Sequence, residues 1–332
     1  MSQLPLQPRQ SAQEPSLINQ KPLEACDAIL RLAELSYARL RSLDRSKTVV
    51  IFSASPLEEH GAHLPVGTDL FEAEFFSEML ARRIVAEKPG WTVLLGPSLP
   101  FGASAFDEAG TLLVRARTVR NAVLDYGAAL ARHGFRTILV TNAHAGPRHV
   151  VALEEAASAV SKRYSIRMLS LSGPVLWKFL RGKFSDRIEP LLGRSLTPEE
   201  RAAIQGDAHA GLWETALLLC ARPDLVDPNY STLSPQRFTL FEAARYNYPL
   251  RLGNRQGYIG SPAAASQEFG EVAATLLLDA AWEVAQRVFD ARDRSWWQTS
   301  FLYKIPLLRT GFPYAAGAVA LLIALLLIWH FL

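Results

Sequence analysis

Cysteine is scarce in this chain, with only Cys26 and Cys220 among 332 residues. They lie far apart inside apolar helical patterns, which excludes a disulfide framework and predicts two buried free thiols in a reducing compartment. A one-sided charge balance is missing too. The 35 basic and 32 acidic residues leave a net charge of +3, which selects no polyanionic partner and gives no nucleic-acid signature. The N-terminus has no apolar core behind a basic start, so a signal peptide is not expected. Residues 1–22, rich in Gln, Pro and Ser, read as a disordered leader. No internal repeat is evident.

What the chain does have is concentrated between Pro56 and Asp69, where Glu58, Glu59, His60, His63 and Asp69 crowd into one stretch. Carboxylate oxygens and imidazole nitrogens are the donors that divalent metals such as zinc accept, and an aspartate can bridge two ions. Gly61, Pro65 and Gly67 rule out a regular helix there, so an irregular loop must present these groups. The alternative is a polar surface loop that happens to hold two histidines. Residues further along the chain decide between them.

Residues 23–43 carry apolar residues at helical spacing and predict an amphipathic helix. Thr48–Ser53 is a β-branched apolar run of the kind found in a central parallel strand, and it delivers the Glu58 loop at its C-terminal end. Asp69 then opens a helix to Lys88, either as its N-cap or as a ligand, and the two roles are compatible. Further strands are expected at 91–95, 137–140 and 166–171, with helices at 118–133 and 150–164 between them. This alternation predicts a layered α/β domain with a mainly parallel sheet. Two more histidine loops follow strands or enter helices. Asn142-Ala-His144-Ala-Gly146 ends the third strand, with His149 expected in the first turn of the next helix. Asp207-Ala-His209-Ala-Gly-Leu-Trp213-Glu214 runs into an apolar helix; His209 is expected on the loop and Glu214 on the first turn, where negative charge also suits a helix N-terminus. In a parallel sheet the C-terminal strand ends share one edge, so His144 and the Glu58 loop can converge. Residues 178–203 read as an excursion with one or two helices, 224–253 as a loop-rich wrap, and 267–289 as a closing helix. The glycine-punctuated turn Gln256-Gly-Tyr258-Ile-Gly260 implies close backbone approach.

The chain ends on a different composition. From Gly311 to Leu332 there is no charged residue, enough at about 1.5 Å per residue to cross a bilayer core, with Tyr314 and Trp329 near its ends. This predicts a single transmembrane anchor, with an apolar core or oligomer-interface helix as the competing reading. Lys304 and Arg309 on its N-terminal flank would keep the domain on the cytoplasmic side. The expected organisation is therefore a leader at 1–22, a hydrolase domain at 23–290, a juxtamembrane linker at 291–310 and the anchor at 311–332. Trp296 and Trp297 would rest on the membrane surface.

The motifs Glu58-x-His60-Gly-x-His63-Leu-Pro-x-x-x-Asp69, Asn142-x-His144-x-Gly146 and His209-Ala-Gly-x-x-Glu214-Thr215, in this order, closely resemble the creatininase (creatinine amidohydrolase) family. The likeness runs from about Val49 to Glu283 and includes Gly102-x-Ser104, Gly110-Thr111 and the Gly257 to Pro262 turn. It implies a three-layer α/β/α fold, often hexameric, with two divalent ions (Zn2+, Mn2+ or Fe2+) on the strand edge. By matching positions, Glu58 and His144 would bind one ion, His60 the other, and Asp69 would bridge them. Creatininase itself uses an acid two residues after the histidine of the second motif. Here that place is Gly146, so Glu214 is the expected remaining ligand and creatinine is disfavoured as substrate. The loop after Ser104 also departs, carrying Phe106 and Asp107 where relatives have a Glu-His pair, which alters the substrate wall.

The implied chemistry is attack of hydroxide on an amide carbon. His209 would pass a proton to the departing nitrogen, with Asp207 or Glu59 orienting it. His63, Ser104, Trp213 and Tyr258 are the candidates for substrate contact, His63 also for supporting the loop. The expected function is hydrolysis of a small cyclic or linear amide or formamide at a membrane. A non-catalytic anchored module on the same fold and a peptidase that trims a modified peptide, as in mycofactocin maturation, are the alternatives.

Overall fold

Thr48–Ser53 is buried at every position, as a central strand covered on both faces must be. The computed structural model describes residues 28–180, 184–237, 256–290, 292–293, 295–314 and 317. In it, β1 (Ile29–Arg31), β2 (Thr48–Ser53), β3 (Thr92–Leu95), β4 (Thr137–Thr141) and β5 (Arg167–Ser170) form one sheet in the order β1-β3-β2-β4-β5. Every pairing is parallel.

Alternate side chains of these strands feed two cores. Val49, Ile51, Leu139 and Leu169 pack with α2 (Thr68–Glu87), α8 (Leu212–Ala221) and α9 (Gln267–Ala285). Val50, Phe52, Ile138, Val140 and Met168 pack with α3 (Ala116–Arg132) and α4 (Pro147–Tyr164). The result is the expected α/β/α layering. The chain leaves β2 through α2 toward β3 but leaves β4 through α4 toward β5, so α2 and α4 lie on opposite faces. A crevice therefore opens between the C-terminal ends of β2 and β4, the switch point where open α/β sheets bind ligands.

Most elements fall where the sequence pattern puts them, with two corrections. The helix expected over 23–43 does not form as one piece. Residues 1–27 lie outside the described region, Ile29–Arg31 is the edge strand β1 on β3, and only α1 (Tyr37–Ser42) is helical beyond a short 3-10 turn. The apolar residues Leu30, Leu32, Leu35 and Leu40 still reach the α3–α4 core, but along an extended edge, so tertiary pairing overrides a helical period. Three helices, α5 (Ser172–Leu180), α6 (Ser185–Leu192) and α7 (Pro198–Gln205), occupy the stretch between β5 and the third histidine loop.

The second correction concerns the expected linker. Its described part is docked, not free: Leu302 is buried with Val150 and Val151 of α4. Glu154 accepts hydrogen bonds from the Ser300 amide and from its hydroxyl at 2.8 Å, and Glu155 pairs with Arg309 at 2.6 Å. Trp296 and Trp297 stack edge to face and pack against the domain cores instead of projecting outward. Cys220 is a free, half-buried thiol; Cys26 lies outside the described residues. Among the described residues no helix is long and apolar enough to cross a membrane, and 318–332, most of the expected anchor, lie outside them.

Burial pushes the Glu154 carboxyl up to about 7 against the opposing hydrogen bonds from Ser300. The folded chain thus keeps a proton that the unfolded chain releases near 4.5, so this contribution to stability falls as pH rises from about 4.5 through 7. The thermal midpoint of the native chain should decline between pH 5 and pH 8 more steeply than that of Glu154→Gln. Parallel profiles would remove this role for Glu154.

Candidate metal centre

The loop from β2 to α2 is pinned across its neck by a hydrogen bond from the Glu58 amide to the Val66 carbonyl at 2.8 Å. Glu58, His60 and Asp69 are each about 99% buried on this loop and the first turn of α2. Asp69 is not the N-cap, which is Gly67. His144, on the loop after the neighbouring strand β4, points its Nδ1 at Glu58 Oε2 (2.9 Å) and Asp69 Oδ2 (3.3 Å). From the other side His60 Nε2 lies 3.6 Å from Asp69 Oδ1 and 3.6 Å from Glu214 Oε2. Asp69 thus offers one oxygen to each of two histidine–carboxylate groups. His209 stacks on His60 with ring centroids 4.4 Å apart, its Nδ1 3.9 Å from Glu214 Oε2.

Backbone carbonyls set each ring. His60 Nδ1 donates to the Glu58 carbonyl at 2.9 Å, which turns Nε2 toward Asp69 and Glu214. His144 Nε2 donates to the Ala103 carbonyl at 3.2 Å, turning Nδ1 inward. His209 Nε2 donates to the Glu59 carbonyl at 2.8 Å. Asn142 accepts from the His144 amide at 3.1 Å and donates to its carbonyl, clasping that loop.

This donor set fits divalent metal. The buried atoms Glu58 Oε2, His60 Nε2 and Asp69 Oδ2 have no hydrogen-bond partner among the described residues, a costly state that a cation at each group would relieve. Three ligand groups are close enough to share an ion: Glu58, Asp69 and His144; His60, Asp69 and Glu214; and Glu58, His60 and His209, with donor atoms within 4.8 Å of one another. Spacings near 3.4 Å are those of donors sharing one ion at about 2.1 Å.

The other residues singled out from the sequence sit around this centre. Asp207 spends both oxygens on the amides of Leu212 (2.6 Å) and Trp213 (3.0 Å) at the start of α8, so the group that orients His209 is the Glu59 carbonyl and not Asp207. The Glu59 side chain accepts from the Gly61 amide. His63 faces Thr215 at 3.1 Å and packs edge-on to Tyr258, whose hydroxyl donates to the Ser234 carbonyl, so both brace the loop. Ser104, at φ +61°, accepts from the Arg148 amide with its hydroxyl. Trp213 lines a cavity together with His144, Asp207 and Glu214. His149 is fully buried and ties the Ala103 amide to the Ala54 carbonyl, a structural bolt beneath His144.

A family model described as creatinine amidohydrolase (creatininase) matches residues 33–285. The chain belongs to the creatininase family. Its members are metal-dependent amidohydrolases. Among curated relatives, the chain is 29% identical over 201 residues to the mycofactocin precursor peptide peptidase of Mycobacterium ulcerans (strain Agy99), covering 59% of this chain and 67% of that one. It is 26% identical over 243 residues to the creatinine amidohydrolase of Pseudomonas putida, covering 68% and 83%. A crystal structure of creatininase superposes with a TM-score of 0.58 at 24% identity, over 77% of this chain and 96% of that one. A manganese form of creatininase superposes at 0.57 with 22% identity, over 77% and 97%, and a zinc–zinc form of a variant at 0.56 with 23%, over 77% and 97%. These likenesses show the same fold.

Against that family the structure explains the departure at Gly146. A Cβ there would stand 2.2 Å from His144 Nε2 and 2.8 Å from the Ser104 carbonyl, so this creatininase-family loop has no room for an acid, and Glu214 faces His60 instead. The late glycines are explained as well. Gly257 (φ +74°) and Gly260 (φ +143°) bring backbone against the carboxylates of Glu59 and Asp207, where any side chain would collide. One group escaped sequence reading. Glu72, one turn after Asp69 on α2, is 5% exposed with Oε1 unpartnered; burial, and then Glu214, Asp69 and Asp207, push its carboxyl well above the usual range. Its spacing of three from Asp69 was the available clue.

The charge balance sets how metal enters. Burial lowers His60, but Asp69, Glu214 and Glu58 outweigh it and raise it to about 10. His144 is raised well above its ordinary value by Glu58 and Asp69 against the same burial. Both rings therefore carry protons at neutral pH until a cation replaces them. Uptake near pH 7 should release about two protons per chain, read by calorimetry in buffers of different ionisation enthalpy. Heats that do not depend on the buffer would contradict this.

Proposed function

We propose that this protein is a two-metal amidohydrolase that cleaves the C–N bond of a non-peptide amide or formamide, with Glu58, Asp69 and His144 holding one ion and His60, Asp69 and Glu214 the other. The observation that carries the reading is the division of Asp69 between its partners, Oδ1 toward His60 and Oδ2 toward His144. Bound there, divalent ions acidify water and polarise the scissile carbonyl.

The chain's own residues do the rest. The Phe106 amide holds Glu58 Oε1 at 2.6 Å, leaving Oε2 toward His144. With Nε2 donating to the Glu59 carbonyl, His209 Nδ1 on the Glu214 side can accept a proton from the attacking water and pass it to the departing nitrogen as the C–N bond breaks. Phe106 packs edge-on to that ring, centroids 4.6 Å apart, and shields it from water. The likeness to a mycofactocin precursor peptide peptidase favours one second reading, the same chemistry applied to a peptide. A membrane-surface location belongs to the proposal, supported by the uncharged run from Gly311 to Leu332.

Metal analysis of the full chain should find about two divalent ions per chain, and Glu58→Ala or His144→Ala should lose them together with at least about 99% of turnover. A chain with no bound metal would instead indicate a non-catalytic module, and full activity in either variant would defeat the assignment. A screen of amides, lactams, formamides and short peptides separates the two substrate readings. A membrane fraction that releases the chain under alkaline carbonate would exclude the anchor.

A further inference from the structure

The metal centre opens onto a cavity of about 200 Å³ whose composition is lopsided. His144, Asp207, Glu214 and Glu72, whose Oε1 has no partner among the described residues, line it together with Thr141, Asn142 and Ser172; most of the remaining wall is hydrocarbon, chiefly Phe75, Phe76, Met79, Trp213, Leu217 and Leu277. Trp213, Leu217 and Leu277 are also one wall of a second cavity of about 310 Å³, lined further by Phe184, Ile188 and Ile204 from the α6–α7 excursion. Trp213, Leu217 and Leu277 thus form an apolar wall shared by the space beside the metal ligands and the space behind it.

Resting on the amidohydrolase reading above, we infer that the cavity beside the metal ligands receives the hydrocarbon chain of an N-unsubstituted or simply substituted alkyl amide, with the amide group near Glu72 and Glu214. Two physical arguments select this class. A small polar amide such as a lactam would leave the apolar walls facing water or empty space, and would draw no affinity from them. A peptide extending along the cavity would bring a backbone donor and acceptor with each residue, and away from Thr141, Asn142, Ser172 and the acids the hydrocarbon wall offers nothing to pair them with, at a cost of a lost hydrogen bond each. An alkyl chain has neither defect. Glu72 Oε1, buried and without a partner among the described residues, supplies the polar contact that fixes which end of the substrate faces the metals.

The test uses the full chain in lipid nanodiscs and an octanamide carrying a terminal diazirine, photolysed and mapped by peptide mass spectrometry. Labels should fall on the α2 segment at Phe75–Met79, on α8 at Trp213–Leu217 and on α9 near Leu277. Protection should improve about fourfold per methylene along the series from acetamide to decanamide until the space is filled, so decanamide should protect at least about a hundredfold better than acetamide. Ala274→Trp, which fills the cavity from α9, should abolish labelling at α2 while metal content is retained. Equal protection by acetamide and decanamide, labels confined to other surfaces, or better protection by an apolar tetrapeptide would overturn the inference. Because binding is read directly, labelled cavity peptides in a chain that hydrolyses no amide would leave this inference standing and defeat the proposed function instead.

Discussion

The molecule is built around a charge that must be balanced. Glu58 and Asp69 are withdrawn from water almost completely, Glu214 largely so, and all three converge on the inward nitrogens of His60 and His144. Such a cluster is unfavourable without cations, because burying carboxylates costs far more than ordinary packing returns. The remaining architecture makes the cluster possible. Adjacent parallel strands β2 and β4 end side by side, their helices depart to opposite faces, and the gap between them takes the ligands from two loops at once.

The rings are oriented by backbone carbonyls of Glu58, Glu59 and Ala103, not by further carboxylates. A carbonyl fixes a tautomer without adding negative charge to a site that already holds three acids. The same economy explains the amide that Phe106 extends to Glu58 and the two amides that take up Asp207. His149 belongs to this scaffold too: burial drives it down to about 3, so it stays neutral and serves as donor and acceptor between two loops.

Polarity changes abruptly across the centre. On one side lie carboxylates, imidazoles and loop carbonyls; on the other, α2, α8 and α9 offer aromatic and aliphatic surface. The carboxyl-terminal segment docks elsewhere, on α4 through Glu154 and Glu155, so the path of the chain toward Gly311 is set by the domain itself.

The sequence by itself determined the metal-binding residue types, their order, and the strands that carry them. The candidate ligands Glu58, His60, Asp69 and His144 could be read because they lie in glycine-broken loops behind β-branched strands and because three such motifs stand in the order of the creatininase family. Glu214 could be read only once Gly146 was seen to lack an acid. Tertiary structure alone decided the remainder. Local pattern could not show that Ile29–Arg31 pairs as an edge strand, because β pairing is a property of the neighbour. It could not assign Asp207 to the α8 amides or His209 to a carbonyl, because hydrogen-bond partners distant in sequence are chosen by packing. Nor could it reveal Glu72 or the hydrocarbon space beside the ligands, since a cavity is formed by the surfaces that enclose it and leaves no mark on any single segment.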